Sequence, residues 1–207
     1  MSISAFTSPC IVTSFKPAIR TVLLAMLTVS MAVTLWGCDE SAKEINDLQQ
    51  AVWQNPDDAQ NYVRLGNAYS RKQQYDDAVD AYEKALALKP ETGRSVYPAL
   101  GAAYFNRQNY VQALDYFEKS LEYAPDDSLR HYDIGNVYLQ MERCDKAIDA
   151  YGKAIAHSEA FAEAYYNLAI CYIRTNREEQ AREILSWLQE KNNYLAVSLE
   201  RHLEKGD

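Results

Sequence analysis

The sequence predicts an all-α fold of four tandem helix–turn–helix units, preceded by a lone helix and followed by a capping helix. Three observations predict it. The first is a recurrence: Tyr69, Tyr104, Tyr138 and Tyr172 lie 35, 34 and 34 residues apart, and the same steps connect Ala78, Ala113, Ala147 and Ala181. They also connect Gly66, Gly101, Gly135 and Ala169. A fixed period of this size marks stacked supersecondary units, none of which buries its apolar face alone. The second is composition, since 7 Gly and 6 Pro in 207 residues, beside 16 Tyr, suit helices with aromatic cores. The third is punctuation. Pro56, Pro90 and Pro125 fall 34 and 35 residues apart, where each second helix must stop, and Glu159 stands at the next such place.

Residues 1–37 stand apart from the rest. They hold no acid and only two bases, Lys16 and Arg20, and Thr21 to Trp36 carries no charge. A basic start, an apolar run and a small residue before a break describe an export signal. The break reads Leu35-Trp36-Gly37-Cys38. It resembles the lipobox of bacterial lipoproteins, although Trp36 departs from the small or β-branched residue favoured there. The resemblance implies that Cys38 carries diacylglycerol and becomes the N-terminus. An uncleaved single-span anchor and ordinary cleavage remain as other readings, and all three place the rest of the chain outside the cytoplasm. Asp39 resembles the residue that holds enteric lipoproteins at the inner membrane, which is favoured here over the outer membrane.

Residues 38–58 supply the lipidated start and the lone helix. Ser41-x-x-Glu44 has the form of a capping box, and Ile45, Leu48, Ala51 and Val52 share one helical face. In repeat register this is a second helix without its first, ending at Pro56.

The repeats are expected at 59–93, 94–127, 128–161 and 162–191. The first reads Tyr62-x2-Leu65-Gly66-x2-Tyr69, then Ala78-x3-Tyr82 and Pro90. The second reads Tyr97, Leu100, Gly101, Tyr104, Ala113, Phe117 and Pro125. The third carries His131, Ile134, Gly135, Tyr138, Ala147 and Tyr151, and the fourth Tyr165, Leu168, Ala169, Tyr172, Ala181 and Leu185. Gly or Ala at the eighth and twentieth positions lets two antiparallel helices approach, while large residues fill the seam. This pattern resembles the tetratricopeptide repeat, which implies a right-handed α-solenoid. Residues 192–207 close the array: Asn192 and Asn193 precede a helix with Leu195, Leu199 and Leu203 on one face and charges off it.

Composition and motifs exclude several function classes. A net charge of −8 offers no basic face for nucleic acid. No phosphate-binding Gly loop, HExxH or nucleophile elbow appears, so neither catalysis nor a cofactor nor a metal is expected. His131 sits at the first core position of its repeat, and His157 and His202 lie near helix ends, with no clustering in sequence. Asp76-Asp77 and Asp126-Asp127 fall at turns and helix starts, where they favour the helix dipole. Of the four cysteines, Cys10 lies in the signal and Cys38 at the lipid site. Cys144 and Cys171 fall in register on neighbouring helices of repeats three and four. They read either as a disulfide or as two small buried thiols.

What remains is a surface. The tetratricopeptide resemblance implies a concave groove lined by the first helix of each repeat, at the second, fifth, ninth, twelfth and thirteenth positions. Candidate partner-binding residues are Asn67, Arg71, Phe105, Tyr132, Asn136, Leu139, Tyr166, Ile170, Ile173 and Arg174. The fifth positions are Val63, Pro98, Tyr132 and Tyr166, and none of these or of the ninth positions is basic, so the carboxylate clamp of chaperone-binding members is not expected. Asn67 and Asn136 match asparagines that bond a ligand backbone in such members. Phe105, Leu139 and Ile173 keep a second reading, as side chains buried between neighbouring helices. The expected function is a membrane-tethered, extracytoplasmic scaffold or assembly factor that binds a protein or peptide partner in the groove. The alternative is a periplasmic chaperone for one secreted or membrane-complex subunit.

Overall fold

The protein was analysed as a computed structural model, which describes residues 42–205. The signal segment, Cys38, Asp39 and the capping-box Ser41 lie outside the described residues. The chain divides into two compact units, Met1–Asp47 and Leu48–Asp207. Of the first, residues 42–47 are described, and they are helical.

A first helix, α1, covers 42–54. Then follow α2 (Ala59–Arg71), α3 (Tyr75–Leu88), a 3-10 turn (Pro90–Thr92), α4 (Gly93–Asn106) and α5 (Tyr110–Leu121). The rest is α6 (Ser128–Gln140), α7 (Cys144–His157), α8 (Ala162–Arg174), α9 (Glu178–Glu190) and α10 (Leu195–Lys205). Among the described residues there is no strand. The pairs α2/α3, α4/α5, α6/α7 and α8/α9 pack as hairpins, each second helix packs on the next first helix, and α10 packs on α8 and α9. This is the expected all-α solenoid of four helix pairs. Pro90 does more than end a helix, since it opens the 3-10 turn that leads into α4 at Gly93.

The seam inside each pair explains the period. An added Cβ at Gly66 would lie 2.6 Å from the Tyr82 ring, and at Gly101 2.5 Å from Phe117. At Gly135 it would press equally close on Tyr151. Real Cβ atoms do not approach that closely, so the aromatic residue of the second helix dictates glycine on the first. Repeat four answers the same demand differently: Ala169 is fully buried, and the residue in register with the seam rings is the aliphatic Leu185, packed on the same cluster. The alanines of the recurrence, Ala78, Ala113, Ala147 and Ala181, are all 0% exposed.

The turn between the two helices of a pair repeats as faithfully. Gln73, Gln108, Glu142 and Asn176 each adopt φ of 57–59°. This left-handed residue lets the next backbone N–H turn back to the last orphan carbonyls. Gln74 N donates to Tyr69 O, Asn109 to Tyr104, Arg143 to Tyr138 and Arg177 to Tyr172, all at 2.8–3.0 Å. Each acceptor is the tyrosine that sets the period. At the array's start, Gln49 Nε2 donates to Tyr69 Oη at 2.8 Å and fastens α1 to α2. Repeats one and two are tied by Tyr104 Oη donating to Glu83 at 2.8 Å and by an Arg107–Asp76 ion pair at 2.6 Å.

Candidate functional site

The first helices α2, α4, α6 and α8 present the candidate face. Asn67, Arg71 and Arg174 are exposed on it, and Phe105, Tyr132, Asn136, Leu139, Tyr166 and Ile170 are half-buried. Two expectations need correction. Ile173, placed in the groove by its register, is only 7% exposed and sits in one buried cluster with Ala196, Leu199 and Leu203 of α10. Val63, a fifth-position residue, is only 6% exposed. The physical reason is stacking: a twelfth-position side chain points at the next first helix, and α10 supplies that helix after repeat four. Phe105 and Leu139 follow the same logic, packing against the clusters that hold α6 and α8. Phe105 also meets the Tyr110 ring at 5.8 Å. Of the three, Ile173 is buried between neighbouring helices, while Phe105 and Leu139 are half-buried there. Beyond Ile173, Tyr166 lies edge-on to His202 of α10 with ring centroids 6.2 Å apart.

The polar part of the face is better organised than its sequence suggested. Tyr151, fully buried on α7, donates its hydroxyl to Asn136 Oδ1 at 2.8 Å. Asn167 Nδ2 on α8 donates to the same oxygen at 2.9 Å and to Tyr132 Oη at 3.2 Å. The Tyr132 ring lies 4.7 Å from Phe161 and 5.8 Å from Tyr151. Repeats three and four therefore share one hydrogen-bonded network on the first-helix face. Burial pushes the Tyr151 hydroxyl far above the ordinary phenol range, and burial raises Tyr132 as well. Both stay protonated at neutral pH and act as neutral hydroxyls.

The asparagines thus have intramolecular work. Asn67 Oδ1 accepts from Tyr82 Oη at 2.7 Å, as Asn136 does from Tyr151. A buried phenol must place its proton on an acceptor. Where the seam residue is Phe117 or Leu185, the ninth position is Ala102 or Ile170. Asn167, Tyr151 and Phe161 were missed by position counting. The signal for the first two was present, because a tyrosine in a seam otherwise filled by Phe or Leu demands an acceptor nearby.

One ion pair near the face is partly buried. Asp133 sits at the sixth position of repeat three, where Asn167 sits in repeat four. Its carboxylate meets Arg130 Nη1 at 2.7 Å, and burial pushes it up to about 6, against the opposing pull of Arg130. Arg130 itself is only 14% exposed, and its buried Nε makes no hydrogen bond. The histidines, separate in sequence, partly meet: His131 and His157 stack with centroids 5.3 Å apart. His131 Nε2 is held 2.9 Å from Pro125 O, a satisfied core position. Among the described residues no His, Cys, Asp and Glu group has metal-binding geometry.

Comparison with known proteins agrees with this architecture. Residues 59–91, 95–160 and 138–194 each match the family description "Tetratricopeptide repeat". A DnaJ homolog subfamily C member 7 homolog of Dictyostelium discoideum is 32% identical over 80 residues, which is 39% of this chain and 15% of that protein. Cellulose synthase operon protein C of Escherichia coli K12 is 46% identical over 55 residues, 27% of this chain and 5% of that one. The match therefore spans a small part of each curated relative. Among solved structures, MamA from Desulfovibrio magneticus RS-1 superposes with TM-score 0.68 at 21% identity, covering 86% of this chain and 95% of that one. YrrB, described as a TPR protein with an unusual peptide-binding site, superposes with TM-score 0.67 at 23% identity, covering 83% and 89%. With its period, glycine–aromatic seams and left-handed turns, the chain belongs to the tetratricopeptide repeat family.

Proposed function

We propose that this chain is a membrane-tethered, extracytoplasmic scaffold or assembly factor that binds a peptide or protein partner along its first-helix face, centred where repeats three and four meet. The Asn136–Asn167–Tyr132 network carries the reading. It holds a half-exposed tyrosine in place against Asn167 and Phe161, so little side-chain entropy is lost when a partner arrives. Tyr132 accepts from Asn167, and its hydroxyl also neighbours Asn136. Peptide binding in YrrB, on a similar fold, supports the same use of this one. The fifth and ninth positions bring no Lys or Arg, so the partner is held by aromatic and amide contacts, and moderate salt weakens binding little.

The tether rests on the uncharged run Thr21–Trp36 and on Leu35-Trp36-Gly37-Cys38, which together favour a lipid on Cys38 and, through Asp39, the outer leaflet of the inner membrane. Mass spectrometry of the mature N-terminus is expected to find acylated Cys38. An intact Met1 there, or a fraction that follows outer-membrane markers, refutes the corresponding half of the proposal.

The binding face is tested by placing a photoreactive residue at Gln140 and, on a second helix, at the exposed Val111. The expected outcome is one partner captured from Gln140 and not from Val111, with capture lost in Tyr132→Ala by about 10-fold or more. Because Tyr132 packs on Phe161, Tyr132→Phe serves as the folded control. Equal capture from both positions places the interface elsewhere.

A further inference from the structure

Cys144 opens α7 and is half-buried, whereas Cys171 lies in the middle of α8 and is 0% exposed. Both are free thiols. Cys144 packs against the buried cluster that holds Cys171, and the two side chains are hydrogen-bonding neighbours across the seam between repeats three and four. Register shows how particular this is. In the preceding repeats the residues equivalent to Cys144 are Tyr75 and Tyr110, and those equivalent to Cys171 are Ala68, Ala103 and Val137. The preceding seams therefore match a large ring with a small aliphatic side chain, and only here do two sulfurs meet.

Access is equally asymmetric. Cys144 lines an open pocket of about 700 Å³ together with Arg143, Lys146 and Arg174, and with two carboxylates, Glu142 and Asp145. A small anionic reagent fits that space and its cations.

We infer that Cys144 and Cys171 are a reversible dithiol–disulfide switch, oxidised by small-molecule disulfides, that staples repeat three to repeat four. The chemistry balances as two exchanges. Cys144 thiolate attacks one sulfur of the disulfide RS–SR, forming a Cys144–SR bond and releasing RS⁻, which takes up a proton. Cys171 then gives up its proton and attacks the Cys144 sulfur, forming the Cys144–Cys171 bond and releasing the second RS⁻. Two protein thiols are oxidised to one disulfide, and RS–SR is reduced to two RSH. Burial pushes the Cys171 thiol up to about 12, with the charge and hydrogen bond of Cys144 adding to it and Arg174 opposing.

The staple would join residues 27 apart in sequence and hold α7 on α8 beside the Asn167–Asn136 bond that already bridges the two repeats. Oxidation would thus stiffen the seam of the candidate face.

The test uses the purified full chain, oxidised glutathione and digestion without reduction, so that peptide masses separate this pair from Cys10 and Cys38. The expected product is a cross-linked peptide carrying Cys144 and Cys171, with a melting temperature raised by about 5 °C and restored by dithiothreitol. Cys144→Ser, at a half-exposed helix start, should fold and lose both effects. A stable glutathione adduct on Cys144 with Cys171 still reduced overturns the inference, and so does cross-linking that appears only in denaturant. Failure of either thiol to react overturns it too.

Discussion

Repeats one and three differ from repeats two and four in how they fill the same space. The odd repeats pair a seam tyrosine with a ninth-position asparagine, Tyr82 with Asn67 and Tyr151 with Asn136. The even ones pair Phe117 with Ala102 and Leu185 with Ile170. The difference teaches that polarity on the face of this array follows from what is buried behind it. A hydroxyl in the seam requires an acceptor, and the acceptor then stands on the surface, where a partner meets it. Within the set, repeats one to three share glycine against an aromatic ring, and repeat four alone has alanine against leucine.

That last contrast gives the largest expected effect. Gly101→Ala and Gly135→Ala each drive a methyl group into a buried ring and should cost about 3 kcal/mol in chemical denaturation. Ala169→Gly should cost only about 1 kcal/mol, mostly helix propensity. Leu185→Phe with Ala169 retained should be as costly as the glycine substitutions, and Leu185→Phe with Ala169→Gly should recover much of the loss. Equal costs for the two single changes at 169 and 185, with no recovery in the double, would mean that the seam in repeat four is not read by the same rule.

The next contrast lies at the sixth position. Asn167 bonds to repeat three, whereas its counterpart Asp133 faces a repeat whose ninth position is Ala102 and relies on Arg130 alone. Its carboxyl is raised from 3.8 to about 6 in the folded chain, with burial the first cause. A raised acid binds its proton more tightly when folded, so its contribution to stability falls as pH rises from about 4 through about 6. The loss amounts to about 2–3 kcal/mol. Wild-type chain compared with Asp133→Asn should show that slope over this window, and the variant should lack it. Parallel pH profiles for the two proteins would assign the slope to other carboxylates.

Much of this was legible in the sequence because the period-setting residues are seam residues, and seams repeat. Tyr69, Ala78 and Gly66 occupy equivalent space in every cycle, so a 34-residue ruler finds them. The face was legible only in part. Ile173 counts as a groove position by the same ruler, yet α10 covers it, and a ruler says nothing of which helix comes next. Asn67 and Asn136 were read for a partner when their first contacts are Tyr82 and Tyr151. Contacts that cross repeats, such as Asn167 with Asn136, escape a reading made one repeat at a time.

A chemical cycle sharpens the comparison between odd and even repeats. Asn136→Ala should cost about 2 kcal/mol, because it strands the buried Tyr151 hydroxyl and frees Asn167. Tyr151→Phe alone should cost about 1 kcal/mol, and the double variant should cost less than the sum, since it reproduces the Ala102–Phe117 pair. The mirror experiment is Phe117→Tyr in repeat two, expected to be destabilising alone and relieved by Ala102→Asn. Additive costs in both cycles would show that the two positions do not communicate.

The smallest effect concerns the turn shared by all repeats. Gln108 holds φ at 59°, a conformation that costs a residue with a Cβ roughly 1 kcal/mol and glycine very little. Asn109 N reaches Tyr104 O at 2.9 Å through this turn, and the Gln108 side chain is exposed. Gln108→Gly should therefore keep the hydrogen bond and raise stability by about 0.5–1 kcal/mol, after subtracting the added freedom of the unfolded chain. Asn176 has φ of 57° at the equivalent place in repeat four, and asparagine tolerates it better than glutamine does. Asn176→Gly should gain less than Gln108→Gly. An equal gain at both would show that the side chain at this position does not matter, and a loss at Gln108 would mean that the unfolded-chain entropy of glycine outweighs the relief of the turn.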